Sequence, residues 1–241
     1  MAMTEQQVQL VVAAQGGDIK SFEQLFSIYH ENVYALARMI VRNANGARDI
    51  LQETFITAWR KLNTLETPPL FSVWIQTIAR NLCNMQLRKK YLAILLDAEQ
   101  DIEKVDTEES DEWFPAVYAE RADLKERLGR IIDSLSEVQR QTVVLYFFNK
   151  LSVEEISGVM ECSVHTVKLR LFLARKTILS EAEEQERKTG QKLCGMDDIP
   201  MLLLGKLIQL QMEALLIGRN EVTASLSAIR KTISNPKGMD T

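Results

Sequence analysis

The stretch FSVWIQTIARNLCNMQLRKK, residues 71–90, decides the fold that we predict. Its large apolar residues recur at steps of three and four, which predicts a helix with one buried stripe. That stripe consists of Phe71, Trp74, Ile78, Leu82 and Met85. The opposite face carries Gln76, Arg80 and Asn84, and the stretch holds four cations and no acid. Such a face is typical both of an ordinary solvated helix and of a nucleic-acid contact.

The composition describes an ordinary globular protein. Apolar residues make up 46% of the 241 residues and charged residues 26%, a length and balance that suit two small domains with separate cores. Only 10 Gly and 5 Pro leave little room for a turn-rich β design, and the apolar spacings are helical nearly everywhere. We therefore predict an all-α protein of two small helical domains.

Cysteine and histidine usage gives no sign of a cofactor or metal. The cysteines, Cys83, Cys162 and Cys194, are odd in number and far apart, which suggests neither a disulfide framework nor a zinc knuckle. The only histidines are His30 and His165. The first ten residues lack the cationic and apolar segments of a secretory signal, so a reducing cytoplasm is the expected compartment.

The net charge of −4 averages patches of opposite sign. Residues 71–90 and 163–176 each carry +4, whereas residues 97–112 hold nine acids against one lysine. So acidic and apolar-poor a run does not build a core. We predict a flexible acidic linker at 92–121 between the two domains.

The first domain is predicted at residues 5–91. We expect helices at 5–14, from a cap at Asp18 or Ser21 to Ile40, at 47–62 and at 71–90, with a break at 43–46 and a proline loop at 64–69. The third helix turns one apolar stripe inward: Ile50, Leu51, Phe55, Ala58 and Leu62. Its other side carries Asp49, Gln52, Glu53, Ile56 and Arg60.

The second domain, predicted at 122–185, ends in a helix-turn-helix. A helical stripe from Leu124 to Leu135 opens it, and Ser136–Gln139 and Ser152–Glu155 have the spacing of capping boxes that begin the next two helices. A tight turn at Glu161 then leads to a final helix capped by Ser163. Its core stripe is Val164, Val167, Leu171, Ala174 and Ile178; opposite lie His165, Leu169, Phe172 and Lys176, flanked by Lys168, Arg170 and Arg175. By spacing alone this is either a DNA reader or an ordinary helical hairpin.

Three segments in series resemble one protein family. They are DILQETF with AW at 49–59, FSVWI followed by IARNL at 71–82, and LSVEEI through CSVHTVK at 151–168. Together they resemble the sigma-70 family of bacterial RNA polymerase sigma factors, in its extracytoplasmic-function (ECF) group. The resemblance covers about residues 5–185, as polymerase-docking and −10 domain, linker and −35 domain.

The resemblance implies a role for each segment. The polymerase-binding residues would be Asp49, Gln52, Glu53 and Phe55. The 71–90 helix and the 64–69 loop would hold the separated −10 strand, through Arg80, Asn81, Asn84, Arg88 and Lys89. The final helix would read the −35 duplex through Ser163, His165, Thr166, Lys168, Arg170 and Arg175.

The resemblance also implies the partners. Core RNA polymerase would be bound through the clamp helices of its largest subunit and through its flap, and promoter DNA would be the ligand. An anti-sigma factor is a further candidate partner. Such a protein directs an enzyme, and the sequence shows no catalytic constellation of its own.

Two departures from the family pattern bear on DNA reading. Met85 stands where relatives usually have Asp, so the role of that position does not carry over. Leu169, Phe172 and Leu173 occupy positions that are commonly polar or basic. They either touch thymine methyl groups or form a partner surface, and they weaken the phosphate contacts that we expect of the isolated domain.

Residues 186–241 extend beyond the family's two-domain pattern. The apolar run 199–217 is interrupted by Lys206 and Glu213, each costing roughly 2.5–3.5 kcal/mol inside a bilayer, so we predict no membrane span. A second helix follows, with Asn220 as cap and Val222, Leu226, Ile229 and Ile233 as its stripe. The tail is either a hairpin packed on the preceding domain or a regulatory cover over a DNA- or polymerase-binding face.

Two other functions compete with a sigma factor. A stand-alone helix-turn-helix regulator would bind duplex DNA without polymerase, but it leaves the 49–55 motif and the 71–90 helix without a purpose. A purely helical scaffold would show no salt-dependent binding to nucleic acid.

Overall fold

The computed structural model describes residues 3–97, 130–189 and 219–233, and every regular element in these ranges is helical, which confirms the all-α prediction. The helices are α1 (Glu5–Gln15), α2 (Ile19–Val41), α3 (Ala44–Lys61), α4 (Phe71–Asp97), α5 (Glu137–Phe147), α6 (Val153–Met160), α7 (Val164–Thr189) and α8 (Arg219–Ile233). Two 3-10 turns, Leu62–Thr64 and Pro68–Leu70, join α3 to α4.

Side-chain caps fix where the first helices begin. The Asp18 carboxylate accepts hydrogen bonds from the backbone N–H groups of Lys20 and Ser21, so Asp18, not Ser21, caps α2. The break before α3 is tighter than predicted. Asn43 caps α3 by accepting from the Gly46 N–H at 2.6 Å, and the left-handed residue is Arg42, with φ 63°. Gly46 lies within α3 and not in the break before it. A glycine suits this position because an added Cβ would come within 2.9 Å of Asn43 Oδ1.

The first domain is built around α2, against which α1, α3 and α4 pack. Its centre is an aromatic cluster with edge-to-face geometry: Phe26 lies 4.8 Å and Phe22 6.1 Å from Phe55, between ring centroids. Phe22 also contacts Trp59 at 5.0 Å, and Tyr29 contacts Phe71 at 5.4 Å. This cluster sets the relative positions of α3 and α4.

Helix α4 is rotated relative to our prediction. The buried stripe is Phe71, Ile75, Ala79 and Cys83, all at 0% exposure. Trp74, Ile78 and Leu82 are only half-buried at the edge of the core, and Met85 is exposed, so the predicted stripe was wrong. The small side chains of Ala79 and Cys83 let α4 approach its neighbours closely, a preference that the spacing of large residues does not reveal. The helix also continues to Asp97, past its predicted end.

The second domain consists of α5, α6 and α7, with residues 130–133 helical just before α5. Both predicted capping boxes are present, at Ser136 and at Ser152. The break after α5 contains Lys150, with a positive φ of 59°, and the break after α6 contains Glu161, with a positive φ of 50°. Val167, Leu171, Ala174 and Ile178 of α7 are buried as predicted, whereas Val164 is half-buried.

The two domains pack directly on one another, α5 against α2 and α6 against α4. Asn149 donates a hydrogen bond from Nδ2 to the Asn32 carbonyl at 3.3 Å, and Arg42 forms an ion pair with Asp133. The sequence predicted two domains and a linker but not this interface. Residues 98–129, which include most of the predicted linker with Trp113, Phe114 and Tyr118, lie outside the described residues.

Helix α8 packs along α3 of the first domain. Its predicted stripe is confirmed, since Ile229 and Ile233 are buried and Val222 and Leu226 pack against the core. This helix therefore packs on the first domain and not, as one alternative predicted, on the second. The apolar run 199–217 lies outside the described residues, and within the ranges described no helix is long and apolar enough to cross a membrane.

Candidate polymerase and nucleic-acid interfaces

One candidate interface is the outward face of α3. Asp49 and Glu53 are exposed and Gln52 is half-buried, so all three polar groups lie at or near the surface. Phe55, which was assigned to the same interface, is at 0% exposure between Phe22 and Phe26. In this fold Phe55 does not reach a partner; it holds α3 from the inside so that its polar side faces outward.

A second candidate interface lies on α4, and the second domain covers part of it. Arg80 is half-buried and donates from Nη1 to the Val159 carbonyl of α6 at 3.2 Å. Gln76, which we predicted on the solvent side, is only 1% exposed, and its Oε1 accepts no hydrogen bond from the described residues. Gln76 lies beside a cleft of about 270 Å³ that residues of both domains line, a tertiary surrounding that the helical spacing does not reveal.

The rest of the predicted α4 face is more open. Asn81, Arg88 and Lys89 are exposed, while Asn84 is half-buried. The assigned side chains thus differ in exposure: Asn81, Arg88 and Lys89 face solvent, whereas Arg80 is bound to α6. Only the first three are available to nucleic acid in this conformation.

The connection between α3 and α4 is braced by a residue that the sequence did not single out. Gln15, the last residue of α1, donates from Nε2 to the carbonyls of Leu62 and Leu65, at 3.0 and 2.8 Å. The Leu65 side chain is buried. The only signal in the sequence is a polar residue just before Gly16-Gly17, and it names no partner. The predicted −10 loop is therefore an ordered part of the first domain.

The third candidate interface is the first half of α7. The Ser163 hydroxyl caps the helix by accepting from the Thr166 N–H at 3.1 Å, and it lies 2.8 Å from the Thr166 hydroxyl. His165 and Lys168 are exposed. Arg170 is half-buried and donates to Cys162 Sγ at 3.4 Å. Polar contacts thus hold the start of the helix and leave its outer face to solvent.

That outer face is apolar as well as cationic. Phe172 is 65% exposed, Leu169 47% and Leu173 40%, at helical steps of three and one. Arg175 and Lys176 are exposed on the next turn. A helix of this size fits the major groove of DNA, where cations meet phosphates and base edges and apolar groups meet thymine methyls.

No cluster of three or more histidine, cysteine or acidic side chains that could hold a metal ion occurs in the described part of the chain. Burial raises the pKa of the Cys83 thiol to about 12, which makes it a poor nucleophile and ligand. At the domain interface, burial is the main cause that lowers the pKa of the Arg140 guanidinium, with Arg42 nearby adding to it. The three faces on α3, α4 and α7 are suited to binding.

A helix-turn-helix domain beside a second helical domain with a polar docking face defines a DNA-binding protein that also binds a protein partner. Comparison with known families gives two matches, Sigma-70 region 2 at residues 25–92 and Sigma-70 region 4 at residues 125–178. The chain belongs to the sigma-70 family of RNA polymerase sigma factors, in its ECF group. It binds core RNA polymerase and directs promoter-specific initiation of transcription.

Similar proteins span several bacteria. RNA polymerase sigma-H factor of Pseudomonas aeruginosa is 32% identical over 189 residues, which cover 74% of this chain and 94% of that protein. ECF RNA polymerase sigma factor SigW of Bacillus subtilis is 28% identical over 172 residues, 70% of this chain and 92% of that protein.

Two solved structures share the fold. The sigma factor RpoE from Bartonella quintana, in complex with the anti-sigma factor NepR, matches with a TM-score of 0.54 and 22% identity over 68% of this chain and 98% of that one. CnrH, in complex with the cytosolic domain of CnrY, matches with a TM-score of 0.53 and 22% identity over 75% of this chain and 99% of that one.

Proposed function

We propose that this sigma factor reads the −35 duplex with α7 and holds the separated −10 strand with α4, while α3 docks on the clamp helices of the polymerase largest subunit. The observation that carries this assignment is the pairing of two exposed polar faces in one chain. Asp49 and Glu53 give α3 an acidic face, and Lys168 and Lys176 give α7 a cationic one. The first suits a protein partner with cations, and the second suits DNA.

The −35 contact divides between positioning and reading. Lys168, Arg175 and Lys176 lie outward and would meet phosphates, which fix the register of the helix on the duplex. His165 and Thr166 stand in the first turn of α7, which enters the groove most deeply in helix-turn-helix proteins. Leu169 and Phe172 would meet thymine methyls one turn later.

The −10 contact requires the two domains to move apart. Arg80 donates a hydrogen bond to the Val159 carbonyl of α6, and Gln76 is buried beside a cleft that both domains line. Neither side chain would meet a DNA strand until the second domain moves away from α4. Asn81, Arg88 and Lys89 are exposed beforehand and would make the first contacts with the backbone of the strand.

The remaining partners follow from the same proposal. Asp49, Gln52 and Glu53 are the groups offered to the clamp helices, and the second domain would reach the polymerase flap. An anti-sigma factor is proposed as a further partner, since the structurally similar RpoE of Bartonella quintana was solved in complex with the anti-sigma factor NepR. The protein would act beside polymerase in the cytoplasm, and polymerase, not this chain, would carry the chemistry.

Run-off transcription with core polymerase over a genomic template library tests the proposal, with the transcripts sequenced. We expect start sites that share a −35 and a −10 element, and a charge reversal at Lys168 should reduce the yield of these transcripts about tenfold. A protein that co-elutes with core but yields no promoter-specific product would contradict the promoter-reading assignments. Binding to duplex DNA without any binding to core in size-exclusion runs would favour the stand-alone regulator.

A further inference from the structure

We propose that α8 is an internal competitor for the docking surface on α3, so that the free protein holds its own polymerase-binding face partly closed. The inference rests on the proposed docking role of Asp49, Gln52 and Glu53. It concerns a helix outside both family matches, which end at residue 178. It therefore assigns a role to a part of the chain that the family pattern leaves unexplained.

The contact between α8 and α3 is an apolar seam. On α8, Ser225, Ile229 and Ile233 are buried at steps of four, which forms a single stripe along the helix. Ser225 is 2% exposed, and its small side chain permits close approach of the two helices.

Helix α3 also has a half-buried flank beside the proposed docking face, and we assign the contact with α8 to this flank. Gln52, Ile56 and Trp59 are half-buried and lie at steps of four and three, on one flank of the helix. The neighbouring positions Asp49 and Glu53 are exposed. Gln52 thus belongs both to the flank beside α8 and to the proposed docking set.

An ion pair fixes the position of α8 from the other side. Arg230 engages both carboxylate oxygens of Glu23 on α2, with its Nη2 at 2.6 Å from Oε2. This two-pronged geometry specifies the rotation of α8 about its axis as well as its place. Together the buried stripe and the ion pair hold α8 against α3, with Arg230 near the C-terminal end of α8 bound to Glu23 of α2.

The steric consequence is mutual exclusion. A helix with its side chains is about 10 Å across, so a polymerase helix approaching Asp49, Gln52 and Glu53 meets α8 at the Gln52 edge. Docking then requires α8 to shift or leave. The observed affinity for polymerase equals the intrinsic affinity multiplied by the fraction of molecules in which α8 is away, so whatever releases α8 raises the observed affinity.

The test compares two substitutions on α8 that add the same charge. Ile229→Asp places a carboxylate in the buried seam, whereas Ser227→Asp places one on the exposed side of the same helix. The full-length variants are labelled and titrated with core RNA polymerase. We expect Ile229→Asp to bind about five- to tenfold more tightly than the unaltered protein, and Ser227→Asp to bind equally.

A charge swap provides an independent route that keeps the seam intact. Arg230→Glu should tighten polymerase binding about two- to threefold, because it places two carboxylates face to face. Adding Glu23→Arg restores the pair in reverse and should return binding to the original value. This pair of variants decides the matter if Ile229→Asp fails the folding check by circular dichroism.

The outcomes separate this inference from the proposed function. If the unaltered protein binds core and neither release variant binds more tightly, the competitor role is overturned while the sigma function stands. If no variant binds core at all, the docking assignment itself fails. Tighter binding by Ser227→Asp as well would show a general charge effect and would also overturn the inference.

Discussion

The helices α4 and α7 carry the two proposed DNA contacts, and they differ in how much of their polar surface is free. On α7 the outer cations and Phe172 face solvent, whereas on α4 Arg80 is bound to α6 and Gln76 is buried. Under the proposed assignments, α7 would read the duplex without a rearrangement of this fold, whereas α4 would hold the separated strand only after the domains part. The two helices also bury different residues: α4 buries Phe71, Ile75, Ala79 and Cys83, and α7 buries Val167, Leu171, Ala174 and Ile178.

The largest expected effect concerns the core beneath the first domain. Phe55→Ala removes the ring that joins Phe22 and Phe26, and it should lower the free energy of unfolding by about 3–5 kcal/mol. Urea denaturation followed by circular dichroism measures it. Asp49→Ala, on the exposed side of the same helix, should stay within about 0.5 kcal/mol. An equal loss for both would contradict the separation of core from docking face.

The second prediction concerns the contact of the second domain with α4. Gln76→Glu puts a charge at a position that is 1% exposed between the domains, and burying it costs several kcal/mol unless the domains part. We expect a larger radius of gyration by small-angle X-ray scattering, with helicity unchanged. Asn81→Asp, exposed on the same helix, is the control and should leave the size unaltered. A compact Gln76→Glu protein would mean that the interface tolerates the charge.

The third prediction compares one thiol from each region in a Cys194→Ser background. Burial raises the pKa of the Cys83 thiol to about 12 from its ordinary value of 9.0, whereas Cys162 beside α7 is half-buried. At pH 8 a disulfide reagent should therefore modify Cys83 at least about a hundredfold more slowly than Cys162, as read by mass spectrometry. Comparable rates would show that α4 opens freely.

The same thiol gives a pH dependence with a definite sign. In the unfolded chain Cys83 loses its proton near pH 9, and in the folded chain it keeps the proton up to about pH 12. The unfolded state then binds fewer protons, so the Cys83 contribution to stability is complete below pH 9 and declines as the pH rises above it. Cys83→Ala should remove that part of the decline in alkaline unfolding curves.

The fourth prediction concerns the cations of α7. The double variant Lys168→Ala with Lys176→Ala should reduce the slope of log affinity against log salt by about two for a −35 duplex. It should weaken binding about tenfold at roughly 0.1 M salt, equally for all sequences. Lys20→Ala with Lys61→Ala, two exposed cations of the first domain, serves as the control. An unchanged slope would contradict the proposal that α7 contacts the phosphates.

The smallest expected effect tests what the exposed apolar residues of α7 touch. Phe172→Ala should weaken binding to the selected −35 duplex about threefold, and replacing thymine by uracil, which lacks the methyl group, should erase the difference. Val138→Ala, an exposed apolar residue on α5, is the control. A loss that is equal on the uracil duplex would favour the alternative that Phe172 belongs to a partner surface.

Local signals in the sequence were sufficient for much of the fold. Ser136 and Ser152 cap helices as predicted, and Asp18 is one of the two caps that were predicted for α2. A cap bonds to backbone groups two or three residues away. The core stripe of α7 was also predicted except at its first residue. These features depend on neighbours in sequence, so no knowledge of the tertiary fold was needed.

The site was less predictable than the fold. Asp49 and Glu53 lie on the surface as the 3.6-residue period suggested. The surroundings of Arg80 and Gln76 instead include the second domain, which is far away in sequence: Arg80 bonds to Val159 of α6, and Gln76 lies beside a cleft that Asn149 also lines. The brace from Gln15 to Leu62 and Leu65 spans about 50 residues and leaves no periodic signal. The stripe of α4 was misjudged because close packing selected small residues there.

The sequence by itself determined the helices, their caps and three motifs whose order placed the chain among sigma factors. Those properties follow from short-range hydrogen bonding and from the helical repeat, both of which can be read from a single segment of sequence. Only the tertiary structure decided that α6 lies on α4 and that α8 lies along α3 with Arg230 on Glu23. The physical reason is that an apolar face favours burial against some other surface, but its pattern does not specify which distant helix provides that surface.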